Sequence, residues 1–284
     1  MRLAKNVGRI ESGVSILHKV STCTEMFARI MDLQQTLTVL DELRFEYFDP
    51  AWIFLEPYVS GKRKLTELRD VMSTFKVKPA AIMGTIDFGV SESRLPEQLS
   101  VLKKHLDAAD HLGTDAIRVF ASLVPEQYID EQIIRRTVNN IKKARSSIEE
   151  MDIKLGLENH FGITSTAEDV LRLLEGVGSP CVGVTFDPAN FVVSKEDPVR
   201  AGRKLAPHII HTHLKDCVYT GAGRWAGYEF VEIGAGVVDY RAVLSNLKED
   251  GYAGYLSLEY ERADDVVRGT LVSRKNLQDF LSEA

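Results

Sequence analysis

Four short apolar runs of the chain end in side chains that can bind a cation or move a proton. Three of the runs end on a carboxylate, which is Glu158, Asp187 or Glu259. The fourth continues into polar residues at alternate positions, His211, His213 and Lys215. Successive side chains of a strand point to opposite faces, so the two histidines and the lysine share one side. Carboxylate oxygen and neutral imidazole nitrogen are the usual ligands of Mn, Mg, Fe or Zn, so three acids with His213 suit a divalent metal.

The spacing of these residues matches a repeating strand–helix unit. The step from Glu158 to Asp187 is 29 residues and the step from Asp187 to His213 is 26, each about one unit. The step from His213 to Glu259 is 46 residues, which is one unit plus a Gly-rich insertion between Cys217 and Val238. An insertion of that length beside the site is a candidate loop over it.

Strand and helix patterns alternate along the chain. We predict strands at 13–17, 45–48, 80–83, 116–120, 153–158, 181–186, 208–214 and 254–259. For the second strand, 52–55 is an alternative to the favoured 45–48. We predict helices from Thr22, which forms a capping-box pattern with Glu25, to about Leu43, and over about 62–76, 96–112, 127–150, 166–176, 197–205, 239–249 and 264–282. Eight such units favour a closed parallel sheet over an open one, and predict an α/β fold: a (β/α)8 TIM barrel, a single domain over 1–284.

The composition is typical of a soluble globular protein, with 284 residues, of which 44% are hydrophobic and 27% charged. The net charge of -6 disfavours a nucleic-acid partner, because such binding depends on clustered Lys and Arg. No signal-peptide pattern follows Met1 and no run of about 20 apolar residues occurs, so we expect cytoplasmic residence and no membrane partner. Cys23, Cys181 and Cys217 are too scattered for a disulfide framework, and we expect reduced thiols.

The four candidate metal ligands all fall at the C-terminal ends of predicted strands five to eight. Barrels of this kind place their active sites on that face. A single acid there is as often a solvated loop residue, and a single histidine is often a hydrogen-bonded core side chain. Four such residues on consecutive strands converge on one rim, and this convergence favours a metal site.

The second half of the chain resembles the xylose isomerase-like TIM barrel superfamily, which includes sugar isomerases and epimerases, keto-inositol dehydratase and DNA repair enzymes of the endonuclease IV type. The resemblance rests on five segments: LENH at 157–160, FDPAN at 186–190, HTHLKD at 211–216, IGAGVVD at 233–239 and GYLSLEYE at 254–261. The fourth segment departs slightly, since Ala235 stands where a Glu is frequent. The first half matches the family by its strand–helix rhythm.

The resemblance implies one divalent metal ion, Mn, Mg, Co or Zn, held by Glu158, Asp187, His213 and Glu259. It also makes a homo-oligomer plausible. A metal chelated by a substrate's hydroxyl and carbonyl oxygens acidifies the intervening C–H and stabilises an enediolate. A carboxylate on each face could remove a proton and return one, so Glu158 and Glu259 are the candidate catalytic residues, the alternative being that they are structural ligands only.

Three further residues are candidates for substrate binding. His160 and Lys215 each lie two residues beyond a candidate ligand, on the same inward side, where they could serve as donor, base or charge partner. Asn190 either hydrogen-bonds a substrate hydroxyl or caps the following turn.

Other polar residues are expected to support the site or to lie outside it. For His211 we expect a supporting role rather than direct ligation of the metal. For Arg118 and Arg262 we expect surface salt bridges, the alternative being recognition of a charged substrate group. Glu46 and Glu56 compete for a role on the second strand, and the sequence leaves that choice open.

These observations predict a metal-dependent isomerase or epimerase of a small sugar or keto-sugar. The alternative is a lyase or dehydratase that forms the same enolate on a keto-inositol or 3-keto-glycoside. A three-zinc nuclease is disfavoured because it needs more histidines, and the third position after Asp187 is Asn190. A catalytically silent barrel would require the four rim residues to be accidental.

Overall fold

A computed structural model describes residues 19–283, which form a barrel of parallel strands surrounded by helices. The barrel strands are β1 Lys19–Thr22, β2 Tyr47–Phe48, β3 Lys78–Pro79, β4 Ile82–Asp87, β5 Ala116–Phe120, β6 Lys154–Glu158, β7 Val182–Phe186, β8 Ile209–Leu214 and, after the hairpin strands β9 Asp216–Gly223 and β10 Gly227–Val231, β11 Tyr255–Leu258. Seven of them form one sheet in the order β1-β11-β8-β7-β6-β5-β4. The short β2 pairs with β3 and lies beside β1 through a bridge between Cys23 and Asp49, so the curled sheet closes and the predicted TIM barrel is confirmed.

Helices cover the outside of the barrel. They are α1 Leu33–Glu42, α2 Trp52–Val59, α3 Leu65–Thr74, α4 Leu95–Leu112, α5 Glu131–Glu150, α6 Ala167–Val177, α7 Pro188–Val193, α8 Pro198–Leu205, α9 Tyr240–Glu249 and α10 Val266–Glu283. Each long helix turns an apolar stripe to the core, as α5 does with Ile141, Ala144 and Ile148. Gly113 and Gly178 end α4 and α6 in the left-handed conformation that favours glycine. No described helix is both long and apolar enough to cross a membrane.

Most of the predicted elements are confirmed, with ends that shift by a few residues. Segment 45–48 contains β2, whereas the alternative 52–55 lies inside α2. The predicted strand 13–17 lies outside the described residues, and the first observed strand is β1. The three cysteines are free thiols, as expected.

The prediction that a helix starts at Thr22 is wrong. Thr22 is the last residue of β1 and pairs with Leu258 of β11. Helix α1 begins only after Asp32, whose carboxylate accepts the Gln35 N–H at 2.8 Å while the Gln35 side chain accepts the Asp32 N–H at 3.0 Å. Pairing of β1 with β11 overrides the local helix preference of Thr22 and Glu25, because that pairing closes the barrel.

The Gly-rich insertion is a β-hairpin, built from the antiparallel strands β9 and β10. At its base the buried Asp216 carboxylate accepts four backbone N–H groups at 2.9–3.1 Å, from Cys217, Gly234, Gly236 and Val238. A Cβ on Gly236 would lie 2.0 Å from Asp216 Oδ1, so this close approach requires glycine. The contacts fix the turn at 233–239 to the end of β8.

Candidate active site

The four residues predicted as metal ligands meet inside the C-terminal rim of the barrel. Glu158 is the last residue of β6, Asp187 and Glu259 directly follow β7 and β11, and His213 lies on β8. Parallel register keeps the strand ends level, with Glu158 opposite Thr185 and Ser257 opposite His213. All four side chains are buried, the most exposed being Glu259 at 8%.

The donor atoms converge as a cation site requires. His213 Nδ1 lies 3.3 Å from Glu158 Oε1 and 2.8 Å from Glu259 Oε2. The ligand atoms of these three residues all lie within 4.8 Å of one another. Asp187 Oδ1 accepts the N–H groups of Ala189 and Asn190 at the start of α7, which leaves Oδ2 directed into the cluster. Two carboxylates and one imidazole at these separations fit a single divalent ion, and Asp187 Oδ2 lies beside them, 3.0 Å from Lys215 Nζ.

Lys215 supplies positive charge to this acidic cluster. Its Nζ is 2.8 Å from Glu261 Oε1, 3.0 Å from Asp187 Oδ2 and 3.3 Å from Glu259 Oε2. Burial disfavours the charged form of Glu259, yet Lys215 and His213 outweigh it and lower its pKa to about 2. Burial and the nearby carboxylates raise the pKa of Asp187, whereas the Lys215 ammonium lowers it. The first two effects are larger together, so the pKa of Asp187 rises to about 7. Glu261 is not among the site residues predicted from the sequence, although its place two residues after Glu259 puts it on the same inward face.

Arg118 corrects an expectation, because its shortest ion pair is buried and only a longer one, of 4.0 Å, reaches the half-exposed Glu25. Arg118 is 4% exposed, and its Nε lies 3.1 Å from Glu158 Oε2. The guanidinium also stands 4.4 Å from the centre of the Phe120 ring. Its position on β5 points the side chain into the barrel, so it orients a candidate ligand. Arg262 does pair at the surface, with Asp264, as expected.

Asp49 is the buried acid of the second strand, and neither Glu46 nor Glu56 takes that role. Glu46 is exposed and Glu56 pairs with Lys62 at the surface. Asp49 Oδ2 lies 2.7 Å from His211 Nε2 and accepts a hydrogen bond from Ser257 at 2.8 Å. Burial would raise the pKa of Asp49, but His211 outweighs it and holds the pKa well below its usual range. The signal was present, since Asp49 follows its strand directly, as Asp187 does.

Asn190 and His160 lie next to Glu158. Asn190 Nδ2 donates to the Asn159 carbonyl at 3.0 Å and lies 3.5 Å from Glu158 Oε1, so in this arrangement it holds the end of β6. The His160 ring packs against Phe120 and Phe161, with centroids 5.0 and 3.5 Å away. Burial lowers the pKa of His160 to about 4, so the ring is neutral near pH 7.

Asn159, which the sequence analysis did not single out, joins two strand ends. Its side chain donates to the Asp187 carbonyl at 2.7 Å and accepts the Asp187 N–H at 2.8 Å. The two bonds hold the end of β6 beside the end of β7. They therefore fix Glu158 and Asp187 relative to each other.

A cavity of about 500 Å³ opens above the carboxylates. Glu158, Lys215 and Glu259 lie among its lining residues, and the hairpin forms one wall. The wall carries aromatic side chains, of which Trp225 stacks on Phe161 with centroids 5.6 Å apart. Such a cavity, lined by both charged and aromatic side chains, fits a small polyhydroxylated ligand.

Comparisons with known proteins show the family and the fold of the chain. The model of the family described as xylose isomerase-like TIM barrel matches residues 42–281. An uncharacterized protein of Methanocaldococcus jannaschii is 27% identical over 267 residues, 88% of this chain and 86% of that protein. An inosose isomerase of Bacillus velezensis is 24% identical and covers 82% of this chain and 85% of its own. Other relatives are named inosose dehydratase and 3-oxo-isoapionate decarboxylase.

Solved structures share the fold. The crystal structure of the IOLI protein with a bound zinc atom superposes with a TM-score of 0.78 at 21% identity, covering 93% of this chain and 98% of that one.

Proposed function

Because the chain belongs to the xylose isomerase-like TIM barrel family, we propose that it is a divalent-metal-dependent isomerase or epimerase of a sugar or keto-sugar. The observation that carries this proposal is the convergence of Glu158, His213 and Glu259, whose donor atoms lie within 4.8 Å of one another at the buried end of an open cavity. Burying a carboxylate costs free energy, because its charge must be compensated by an opposite charge or by hydrogen bonds. A cluster of buried acids therefore favours a functional role such as metal binding.

The proposed ligands are Glu158, Asp187, His213 and Glu259, holding one ion of Mn, Mg, Co or Zn. When bound, the ion would polarise adjacent hydroxyl and carbonyl oxygens of a substrate and acidify the C–H between them. The four residues come from neighbouring strands, so the barrel itself fixes their separation.

Glu158 and Glu259 are the proposed acid and base. They approach His213 from different strands, β6 and β11, and both line the cavity. One carboxylate can therefore remove a proton from one face of a substrate, while the other, after taking up a proton from solvent, returns it to the opposite face. Arg118 at 3.1 Å from Glu158 keeps that carboxylate ionised and fixed in place.

Substrate binding is assigned to His160, Asn190 and Lys215. His160 and Lys215 line the cavity directly above the carboxylates. A neutral His160 can donate or accept a hydrogen bond with a hydroxyl, and the Lys215 ammonium can stabilise an oxyanion.

A lyase or dehydratase is the second candidate, and one contact favours it. Lys215 Nζ and Glu261 Oε1 lie 2.8 Å apart beside the proposed ligands, and both line the cavity. Such a pair could protonate a departing hydroxyl after the same C–H bond has broken.

The test is proton exchange with solvent. Purified protein with Mn or Co is incubated in heavy water with a panel of keto-sugars and inososes, and products are followed by NMR. Deuterium at the carbon beside the carbonyl, with an isomeric product, is expected, and loss of water identifies the lyase. If neither occurs with any member of the panel while the metal is bound, the proposal is wrong.

A further inference from the structure

Trp225 lies at the tip of the β-hairpin that forms one wall of the cavity. The tip connects β9, which ends at Gly223, to β10, which begins at Gly227. The Tyr228 N–H donates to the Trp225 carbonyl at 2.8 Å, and the Trp225 N–H donates to the Tyr228 carbonyl at 3.4 Å. Gly227 has a positive φ of 89°, and a Cβ on it would lie 2.6 Å from the Tyr219 ring. The turn therefore gives the indole a defined place.

Part of the indole surface is packed against other aromatic rings. Phe161, from the loop after β6, stacks on it with centroids 5.6 Å apart and an interplanar angle of 19°. Phe230 and His160 meet it at steeper angles of 53° and 79°. Trp225 nevertheless stays partly exposed and lines the cavity. Since Phe161 covers one face of the indole, the surface that lines the cavity belongs to the rest of the ring system.

The same cavity reaches the proposed acid and base. Glu158, Lys215 and Glu259 line it and are at most 8% exposed, so they are more deeply buried than Trp225. A ligand whose hydroxyl and carbonyl groups reach these charges leaves its C–H surface for the indole. A cyclic polyol suits this division, because its oxygens project from the ring while its ring carbons present C–H groups on a broad face.

We propose that Trp225 is a specificity-determining residue, whose indole stacks on the ring face of a cyclic keto-polyol or of a sugar in its ring form. This inference rests on the proposed function and names its substrate class. A flat aromatic surface matches a ring, whereas a flexible open chain must lose conformational freedom to lie against it. Phe161 acts behind the indole and keeps it in place.

The hairpin has attachments to the barrel other than Trp225. The buried Asp216 accepts four backbone N–H groups at its base, and Phe230 of β10 belongs to the hydrophobic core. The ring at the tip is therefore not needed to hold the two strands to the barrel. Truncation of Trp225 is expected to leave the fold intact and to change ligand binding.

The first readout is tryptophan fluorescence. The chain has two tryptophans, and the other one, Trp52, stacks on His105 and is not a lining residue of the cavity. In a Trp52→Phe variant the tryptophan emission therefore comes from Trp225 alone. Titration with scyllo-inosose, a cyclic ketone, is expected to change this emission until it saturates, in the presence of Zn and of a chelator. Erythrulose, an open-chain ketone, should change it far less.

The second readout is the affinity of variants for scyllo-inosose, measured by calorimetry. Loss of the stacking ring in Trp225→Ala is expected to weaken binding about tenfold, and Trp225→Phe should recover most of the loss. Tyr219→Leu, which replaces an exposed ring of the same hairpin, is the matched control and should bind as the wild type does. Where turnover occurs, Trp225→Ala should raise KM and leave kcat within about threefold, because the contact is the same in the ground state and the transition state.

Wild-type affinity in a folded Trp225→Ala protein overturns the inference, as does an emission of Trp225 that scyllo-inosose leaves unchanged. Equal affinity for erythrulose and scyllo-inosose overturns the choice of a cyclic substrate. Should Trp225→Ala fail to fold, Trp225→Phe and the fluorescence titration still decide the role of the indole. If no ketone is turned over while binding of scyllo-inosose depends on Trp225, the proposed function is wrong and the stacking role stands.

Discussion

Replacing Arg118 by methionine should destabilise the metal-free protein far more than the loss of an exposed arginine. The Arg118–Glu158 pair is 3.1 Å long, with side chains only 5% and 1% exposed. At an effective dielectric constant of about 20, this separation corresponds to roughly 5 kcal/mol of attraction. Lys215, 3.7 Å from Glu158, still compensates part of the charge, so we expect a loss at the low end of the range for broken buried pairs, about 3 kcal/mol.

The assay is urea unfolding in the presence of a chelator, followed by circular dichroism. Arg262→Met is the matched control, because its pair with Asp264 is exposed and should contribute at most about 1 kcal/mol. Adding Glu158→Gln to Arg118→Met should recover part of the loss, since the uncompensated carboxylate is then gone. If Arg118→Met lowers the free energy of unfolding no more than Arg262→Met does, the buried pair does not stabilise the protein as described.

Two further predictions concern turnover and pH. Glu158→Gln and Glu259→Gln should each lower kcat by about 100- to 10,000-fold in a folded protein, because an amide cannot accept the proton; kcat within tenfold of wild type would contradict their roles. Burial lowers the pKa of His105 to about 4 from 6.5, so the unfolded chain binds the proton first as the pH falls. Stability from this residue is therefore lost between about pH 6.5 and 4, and amounts to about 2.5 kcal/mol from pH 7.5 to 4.5. Urea unfolding should show that, between pH 7.5 and 4.5, the His105→Gln variant loses less stability than the wild type, by about this amount. An equal loss of stability in the two proteins would contradict the prediction.

The neutral state of His105 has a structural reason. Its Nδ1 lies 2.8 Å from the Val101 carbonyl and its Nε2 3.3 Å from the Thr85 N–H. Only a neutral ring with its hydrogen on Nδ1 satisfies both partners. Protonation of Nε2 would break the second bond and place a charge in the core beside Trp52.

The candidate ligands could be predicted because each lies at or just past the end of its own strand. In a parallel barrel the strand ends meet at one rim, so local apolar runs that finish on Glu158, Asp187 and Glu259 were sufficient. Asp49 carries the same signal after β2, but the adjoining Pro50 also fits a simple turn. The local pattern does not separate these two readings, and only the contact with His211 decides between them.

The errors came from contacts between residues far apart in the chain. Thr22 and Glu25 have the residue types of a helix start, but pairing of β1 with β11 decides the conformation there. Arg118 is buried because its partner Glu158 lies on the next strand, and sequence spacing alone gives no charge partner. Short-range patterns therefore predict the elements, whereas barrel closure and buried charge pairing depend on the tertiary structure.

The most direct test of the central claim is a metal titration of chelator-treated protein. Mn, Mg, Co and Zn are each titrated into the full chain by calorimetry, with Asp187→Asn and His213→Ala as variants and Glu46→Gln as control. We expect one ion per chain in the wild type and the control, and binding at least tenfold weaker in both variants. Absence of binding by all four metals, or wild-type affinity in His213→Ala, would contradict it.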